Sequence, residues 1–191
     1  MAGGDGLRRA AFLDRDGVIN EERDYVYRIE DFRLLPGVIQ GLTQLRDAAY
    51  ELVVITNQSG IGRGFYSEGD FRHLTQHMMR ELALHGVELA GVYYCPHHPT
   101  AGIGHYREAC TCRKPQPGML TKAARDLGLS IPRSVLIGDK FSDIEAGRRA
   151  GVGRCVLVES GHTLRSIERA GADASVPDLQ AAVRWLTKNG Q

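Results

Sequence analysis

Short, wholly apolar runs that end at a polar residue recur along this chain and alternate with amphipathic stretches. Three of them end at side chains that can contact a ligand: the runs at 10–13, 52–55 and 135–137 lead to Asp14, Thr56 and, through Gly138, Asp139. Apolar runs without polar alternation are typical of strands buried on both faces, as in a parallel sheet covered by helices. The pattern predicts an α/β fold, a Rossmann-like three-layer α/β/α arrangement with a mostly parallel sheet.

The remaining elements follow from the same patterns. Further strands are expected at 92–94 and 155–158, and helices at 38–46, 119–127 and 143–150, the last two ended by Gly128 and Gly151. A helix is also indicated where Phe71, Leu74, Met78 and Leu82 recur at helical spacing behind Ser67 and Asp70, which resemble a capping box. A last amphipathic helix contains Leu179, Ala182, Val183 and Leu186. The one long irregular insertion, residues 96–113, has a length that is usually functional inside a compact domain.

Length and charge indicate how many domains the chain forms and which kinds of partner it binds. The 191 residues suit one domain, 1–191, and the formal net charge of +1 gives no global field toward nucleic acid or membrane. No apolar run approaches the roughly 20 residues of a membrane helix, and the first residues lack the apolar core of a signal peptide. We therefore expect a cytoplasmic monomer with a small-molecule partner.

Asp14 and Asp16 are two carboxylates placed two residues apart at the end of a predicted strand. They repel each other unless a cation lies between them, and Mg²⁺ prefers such hard oxygen ligands. A helix cap or a surface turn would explain an isolated pair equally well. Thr56 and Asp139 end other predicted strands, however, and ligands bind at the carboxyl ends of parallel strands, so these side chains should converge.

The ordered set of Asp-x-Asp, strand-end Thr, Lys114 and the Gly-Asp-x-x-x-Asp stretch resembles the haloacid dehalogenase-like phosphatases. The matching stretches are FLDRDG (12–17), VVITNQSG (53–60), CRKP (112–115) and IGDKFSD (137–143).

This resemblance implies a mechanism. Asp14 would attack phosphorus and form an aspartyl-phosphate, and Asp16 would protonate the leaving alcohol and then deprotonate water. Mg²⁺ would be held by Asp14, Asp139 and the main-chain carbonyl of Asp16, with Lys140 beside it. Thr56, Asn57 and Lys114 would hold the other phosphoryl oxygens, and Asp143 would orient Lys140 or a metal-bound water.

Cysteine and histidine form a second cluster, within the zinc loop (residues 95–112). Cys95 and His97 are separated by one residue, as are Cys110 and Cys112, and three sulfurs with one imidazole make a known structural zinc set. His98 and His105 are rival ligands, and free cysteines with surface histidines are the alternative explanation. A zinc ion here would fix the loop that leads into Arg113 and Lys114. Cys155 lies in a predicted buried strand and is expected in the core.

With both clusters, the chain resembles one family in particular, the heptose 1,7-bisphosphate 7-phosphatases, to which the histidinol-phosphate phosphatases are close. The resemblance implies a domain without a large cap, a sugar bisphosphate substrate cleaved at its C7 phosphate, and a place in the synthesis of activated heptose for lipopolysaccharide. It also implies substrate-binding residues: Arg15, Glu22, Arg23, Asp24, Tyr25, Asn57, Gln58, Ser59, Arg113 and Lys140.

Two other functions remain open on the sequence. Histidinol phosphate or a 3′-phosphorylated polynucleotide would require the same chemistry on another substrate, although no basic stripe supports the nucleic acid. A zinc-stabilised binding module without activity is the third hypothesis, and retention of both Asp14 and Asp16 weighs against it.

Overall fold

Six parallel strands form one sheet at the centre of the fold. The structure is a computed structural model that describes residues 7–161 and 171–189. The strands are β1 (Arg9–Leu13), β2 (Tyr50–Asn57), β3 (Gly91–Cys95), β4 (Val135–Gly138), β5 (Arg154–Val158) and β6 (Ala174–Val176). Their order is β3-β2-β1-β4-β5-β6, and every pairing is parallel. The predicted α/β class and parallel sheet are confirmed.

Helices cover both faces of this sheet. They are α1 (Val38–Asp47), α2 (Ser59–Gly62), α3 (Glu68–Ala83), α4 (Gly118–Leu127), α5 (Phe141–Ala150) and α6 (Leu179–Asn189). Alternate residues of β1 enter the two apolar layers: Ala11 and Leu13 pack with residues of α1, α3 and α6, whereas Ala10 and Phe12 pack with residues of α4 and α5. Because both faces are covered, the strand needs no polar alternation.

The helix ends use the capping residues that the sequence indicates. Ser67 accepts a hydrogen bond from the backbone N–H of Asp70, whose carboxylate accepts one from the N–H of Ser67, so α3 begins with a capping box. Gly128 and Gly151 follow α4 and α5 in the left-handed conformation, with φ of 64° and 83°. These helix boundaries agree with the predictions.

Among the strands and α-helices of the described residues, two short elements were not predicted. β6 has three half-buried residues at the edge of the sheet, so it lacks the fully apolar run that marks the central strands. α2 is one turn that contains Gly60 and Gly62, and glycine is among the poorest helix formers. Both depend on contacts with distant segments.

The direction in which successive strands are added to the sheet reverses beside β1. From β1 the chain winds outward through β2 to β3, then crosses back to β4 on the other side of β1 and continues outward to β6. Leu13, the last residue of β1, pairs with Val54 of β2 and Ile137 of β4. The carboxyl ends of these three strands therefore meet at the point where such sheets bind ligands. Within the described residues, no helix has both the length and the apolar character needed to cross a bilayer.

The packing of α3 gives a test with a built-in control. Met78 is completely buried, whereas the next residue, Met79, is 39% exposed. Met78→Ala should lower the free energy of unfolding by about 2–5 kcal/mol, because it leaves a cavity in the core. Met79→Ala should change it by less than about 0.5 kcal/mol. Urea unfolding of both variants measures the difference, and equal effects would contradict the assigned face of α3.

Candidate active site

A cleft of about 690 Å³ opens at the carboxyl edge of the sheet. Its lining includes most of the polar residues that the sequence singled out: Asp14, Asp16, Glu22, Asp24, Tyr25, Thr56, Asn57, Gln58, Ser59, Arg113, Lys114, Lys140 and Asp143. The expected convergence of the strand ends is therefore present.

A buried ammonium group lies in the floor of this cleft. Lys114 is 3% exposed, and its Nζ is 3.0 Å from Oδ1 of Asp14 and 2.7 Å from Oδ1 of Asp143. Nζ also donates a hydrogen bond of 2.8 Å to the main-chain carbonyl of Ile55. Burial disfavours the charged form, but the two carboxylates outweigh it and raise the pKa of Lys114. The site thus holds a fixed positive charge.

Asn57 holds the main chain of Lys114. Its Nδ2 donates to the carbonyl of Lys114 at 3.1 Å, and its Oδ1 accepts from the N–H of Lys114 at 3.0 Å. The sequence suggested that Asn57 binds a phosphoryl oxygen. In the structure its side-chain amide instead joins the end of β2 to the segment that carries Lys114.

Three buried carboxylates cluster beside Lys114. Oxygens of Asp14, Asp139 and Asp143 all lie within 4.8 Å of one another. Burial, followed by repulsion from neighbouring carboxylates, raises the pKa of Asp139 to about 8, and burial raises that of Asp14 to about 6 despite the opposing effect of Lys114. Carboxylate oxygens that repel one another in a buried site fit a hard divalent cation such as Mg²⁺.

Two glycines let the main chain approach Asp139. Gly17 has φ of 82°, and a Cβ there would lie 2.3 Å from Oδ2 of Asp139. A Cβ on Gly161 would lie 2.0 Å from the same oxygen. A side chain at either position would occupy the space that the Asp139 carboxylate needs. Glycine backbone therefore packs directly against this carboxylate.

Asp143 contacts Lys140 through the main chain, whereas the Lys140 side chain pairs with Glu22. Nζ of Lys140 is 2.6 Å from Oε2 of Glu22 and 3.9 Å from Oδ2 of Asp139. An ammonium group has no lone pair for a metal, so the Lys140 side chain is a neighbour of the carboxylates and not a ligand. Asp143 accepts from the main-chain N–H of Lys140 at 2.9 Å, while its other oxygen faces Lys114.

The buried side chain of Arg15 holds the carboxylate of Asp16 from the protein interior. The guanidinium group of Arg15, which is 1% exposed, donates to both carboxylate oxygens of Asp16 at 2.9–3.1 Å and to the carbonyl of Val26 at 2.7 Å. Nδ2 of Asn20 donates to Oδ1 of Asp16 at 2.9 Å. Arg15 was predicted to bind substrate. It is not among the described residues that line the cleft, and its guanidinium group contacts Asp16 instead.

The rim carries the other predicted substrate residues. Tyr25 has φ of 67°, a rare conformation for a residue with a side chain, and its hydroxyl accepts a hydrogen bond from Arg63. Arg23 is exposed, pairs with Glu21, and does not contribute to the lining of the cleft within the described residues. The placement therefore favours Tyr25, and not Arg23, as a side chain that faces a ligand.

Cys95, His97, Cys110 and Cys112 form a compact cluster. Their sulfurs lie 3.0–3.4 Å apart, and Nδ1 of His97 is 3.4 Å from the sulfur of Cys112. These are the four residues that the spacing suggested, and the set of three thiols and one imidazole fits zinc. Cys155 is fully buried in the core, as expected.

The structure distinguishes His97 from its rivals. Nδ1 of His98 accepts hydrogen bonds from the main-chain N–H groups of Thr100 and Ala101, at 3.3 and 3.0 Å. His105 is exposed and packs against the ring of Tyr106, with ring centroids 4.0 Å apart. Only His97 among the three joins the four-residue cluster found in the described part of the chain.

Sequence reasoning missed two residues that contact the site. Asn20 lies three residues beyond the motif at 12–17, and nothing in its spacing showed that its amide would reach Asp16. Tyr66 lines the cleft and hydrogen-bonds to Gln58, and an aromatic residue after a glycine-rich turn carries no signal for such a contact.

Comparisons with known proteins agree with this arrangement. The HAD-hydrolase-like family model matches residues 111–182. The D-glycero-beta-D-manno-heptose-1,7-bisphosphate 7-phosphatase of Photorhabdus laumondii is 44% identical over 182 residues, which cover 94% of this chain and 97% of that protein. The D-glycero-alpha-D-manno-heptose-1,7-bisphosphate 7-phosphatase of the same organism is 47% identical over 154 residues, which cover 81% of this chain and 84% of that protein.

A solved structure matches over the same length. The D,D-heptose 1,7-bisphosphate phosphatase from B. bronchiseptica, complexed with magnesium and phosphate, superposes with a TM-score of 0.82 at 31% identity, covering 95% of this chain and 99% of that one. Since relatives at well over 30% identity align along nearly their whole length, the chain belongs to the HAD-like family of D-glycero-D-manno-heptose 1,7-bisphosphate 7-phosphatases.

Proposed function

We propose that this chain is a phosphomonoester hydrolase that removes the C7 phosphate of D-glycero-D-manno-heptose 1,7-bisphosphate and releases the heptose 1-phosphate. The observation that carries the proposal is the position of Asp14: it directly follows β1, beside the buried Lys114 ammonium and within reach of two further carboxylates. The likeness to the 7-phosphatases along nearly the whole chain supports the substrate.

Asp14 is placed to act as the nucleophile. Its Oδ1 is held by the main-chain N–H of Arg15 at 2.7 Å and by Nζ of Lys114 at 3.0 Å. Held through one oxygen, the carboxylate attacks phosphorus with Oδ2, and the bond from phosphorus to the C7 oxygen breaks. Lys114 then neutralises charge on the aspartyl-phosphate that forms.

Asp16 moves the proton in both half-reactions. It gives a proton to the C7 oxygen as the alcohol leaves, and it takes one from the water that attacks the aspartyl-phosphate. The second attack releases phosphate and restores Asp14. Arg15 and Asn20 hold the Asp16 carboxylate in place between these steps.

Two metals fit the donor sets. Mg²⁺ would be held by Asp14 and Asp139 with the main-chain carbonyl of Asp16, and when bound it supplies positive charge to the phosphoryl oxygens. Zinc would be held by Cys95, His97, Cys110 and Cys112, where it has a structural role.

The nucleophile is tested by Asp14→Asn. The amide is nearly isosteric but is not a nucleophile, so turnover should fall by about 10⁴-fold or more while the circular dichroism spectrum stays unchanged. Asp47→Asn, which alters an exposed carboxylate on α1, is the control and should keep full turnover. Near-normal phosphate release by Asp14→Asn would eliminate the covalent mechanism.

The zinc set is tested by elemental analysis of protein purified without chelator. We expect about one zinc per chain in the wild type and in Cys155→Ala, and a large loss of zinc in Cys112→Ser. If the metal contributes roughly 2 kcal/mol, Cys112→Ser should also lower the Tm by about 4–8 °C. Wild-type protein that contains no zinc would rule out the structural site.

Arg113 is the candidate for binding the remote C1 phosphate. It lines the cleft, its Nη1 donates to the carbonyl of His97 at 3.3 Å, and its planar guanidinium can make two parallel hydrogen bonds to a phosphate. Arg113→Ala should lower kcat/KM for the bisphosphate by roughly 10–150-fold, the loss of one charge-assisted hydrogen bond.

The substrate dependence of that loss is the informative result. Heptose 7-phosphate lacks the C1 phosphate, so Arg113→Ala should change its kcat/KM little. Arg107→Ala, in an exposed part of the zinc loop, should leave both substrates unaffected. If Arg113→Ala impaired both substrates equally, Arg113 would support the loop or the transferring phosphate instead.

A further inference from the structure

The side-chain amide of Gln58 joins two residues of the reaction to a buried tyrosine. Gln58 is 2% exposed; its Nε2 donates to Oγ1 of Thr56 at 2.8 Å and to Oδ2 of Asp16 at 3.1 Å. Its Oε1 accepts a hydrogen bond of 2.6 Å from the hydroxyl of Tyr66. One amide thus connects the proton-transferring carboxylate and the strand-end hydroxyl to Tyr66.

The Asp16 carboxylate selects one of the two orientations of that amide, and the hydroxyl of Tyr66 supplies the donor that Oε1 then needs. Tyr66 is 6% exposed, and burial raises its pKa, so the hydroxyl keeps its proton and can donate. The opposite orientation of Gln58 would set Oε1 against the Asp16 carboxylate, two acceptors facing each other. With the observed orientation every one of these buried groups has a complementary partner.

Tyr66 is itself held rigidly. Its ring stacks on that of Tyr27 with centroids 5.0 Å apart and an interplanar angle of 5°. A Cβ on Gly60 would lie 2.2 Å from Cε1 of Tyr66, so the ring packs directly on glycine backbone. The hydroxyl therefore has a fixed position from which it holds Oε1 of Gln58.

We propose that Tyr66 is a positioning residue for the phosphatase reaction, acting through Gln58 on Asp16 and Thr56. It fixes the Gln58 amide so that the Asp16 carboxylate stays aligned with the leaving oxygen. Because Gln58 donates to Oγ1 of Thr56, the Thr56 hydroxyl keeps its own proton for a phosphoryl oxygen. This role rests on the proposed function, in which Asp14 is the nucleophile and Asp16 the proton donor.

Tyr66→Phe tests the role because it removes one hydroxyl and retains the ring. Expulsion of the C7 alcohol needs the proton from Asp16, whereas para-nitrophenolate leaves without one. For the heptose bisphosphate, kcat/KM should fall roughly 10- to 100-fold, since a buried acceptor loses its partner and Asp16 loses its alignment. For para-nitrophenyl phosphate the loss should be at least about tenfold smaller, because only the Thr56 contribution is affected.

The neighbouring tyrosine supplies the matched control. Tyr27→Phe removes a hydroxyl that is not part of this network and should leave kcat/KM for both substrates within about twofold of the wild type. Gln58→Ala should show the same substrate-dependent loss as Tyr66→Phe. Because the two residues act as a unit, the double variant should lose little more kcat/KM than either single variant.

Two results would overturn the proposal. Equal losses on the alkyl and aryl substrates would mean that Tyr66 only supports the packing of the cleft. Multiplying losses in the double variant would mean that Tyr66 and Gln58 act separately. Failure of the proposed function itself would be recognised differently, by turnover that survives Asp14→Asn.

Discussion

A single buried charge, the ammonium group of Lys114, determines how the carboxyl edge of this sheet can be built. It touches Asp14, Asp143 and a main-chain carbonyl of β2, and thereby joins three segments that are far apart in sequence. Without it, the three buried carboxylates would lose the ammonium group that contacts two of them, and the Lys140 ammonium would remain 3.9 Å from Oδ2 of Asp139. Removal of one partner from a buried charge network typically costs about 3–5 kcal/mol, so the site and the fold are stabilised together.

Lys114 is in turn positioned by the loop of residues 95–112 and by Asn57. Cys112, the last member of the cysteine–histidine cluster, lies two residues before it, and Arg113 between them donates to the carbonyl of His97. Asn57 binds both main-chain groups of Lys114 from the end of β2. The compact cluster therefore contributes to the chemistry indirectly, because it sets where the segment with Arg113 and Lys114 meets the sheet.

At the opposite edge of the sheet, where the strands begin, arginines bind main-chain carbonyls near the ends of helices. Arg8 donates to the carbonyl of Leu127 at the end of α4, and Arg9 to that of Ala48 just after α1. Arg46 donates to the carbonyl of Gly86, beyond the end of α3. Cations are favourable where helices end and main-chain carbonyls lack partners. These three arginines, of the 24 lysines and arginines in the chain, therefore bind main-chain carbonyls at helix ends.

The sequence predicts most strands and helices and the grouping of Cys95, His97, Cys110 and Cys112 well, because apolar periodicity and close spacing are local properties. It places Asp14, Thr56 and Asp139 at one edge for the same reason. Contacts within the cleft are not local: that Arg15 would lie beneath Asp16, or that Asn57 would bind the Lys114 main chain, depends on how distant segments pack. β6 was missed because three half-buried edge residues lack the pattern of a central strand.

The stereochemical course at phosphorus tests the central claim, a covalent intermediate on Asp14, most directly. A heptose bisphosphate whose C7 group is a phosphorothioate, chiral through its sulfur and two different oxygen isotopes, would be hydrolysed in water that carries the third isotope. Each in-line displacement inverts the configuration, so attack by Asp14 followed by attack of water predicts net retention in the released thiophosphate. Net inversion would mean that water attacks the substrate directly, and it would contradict the account.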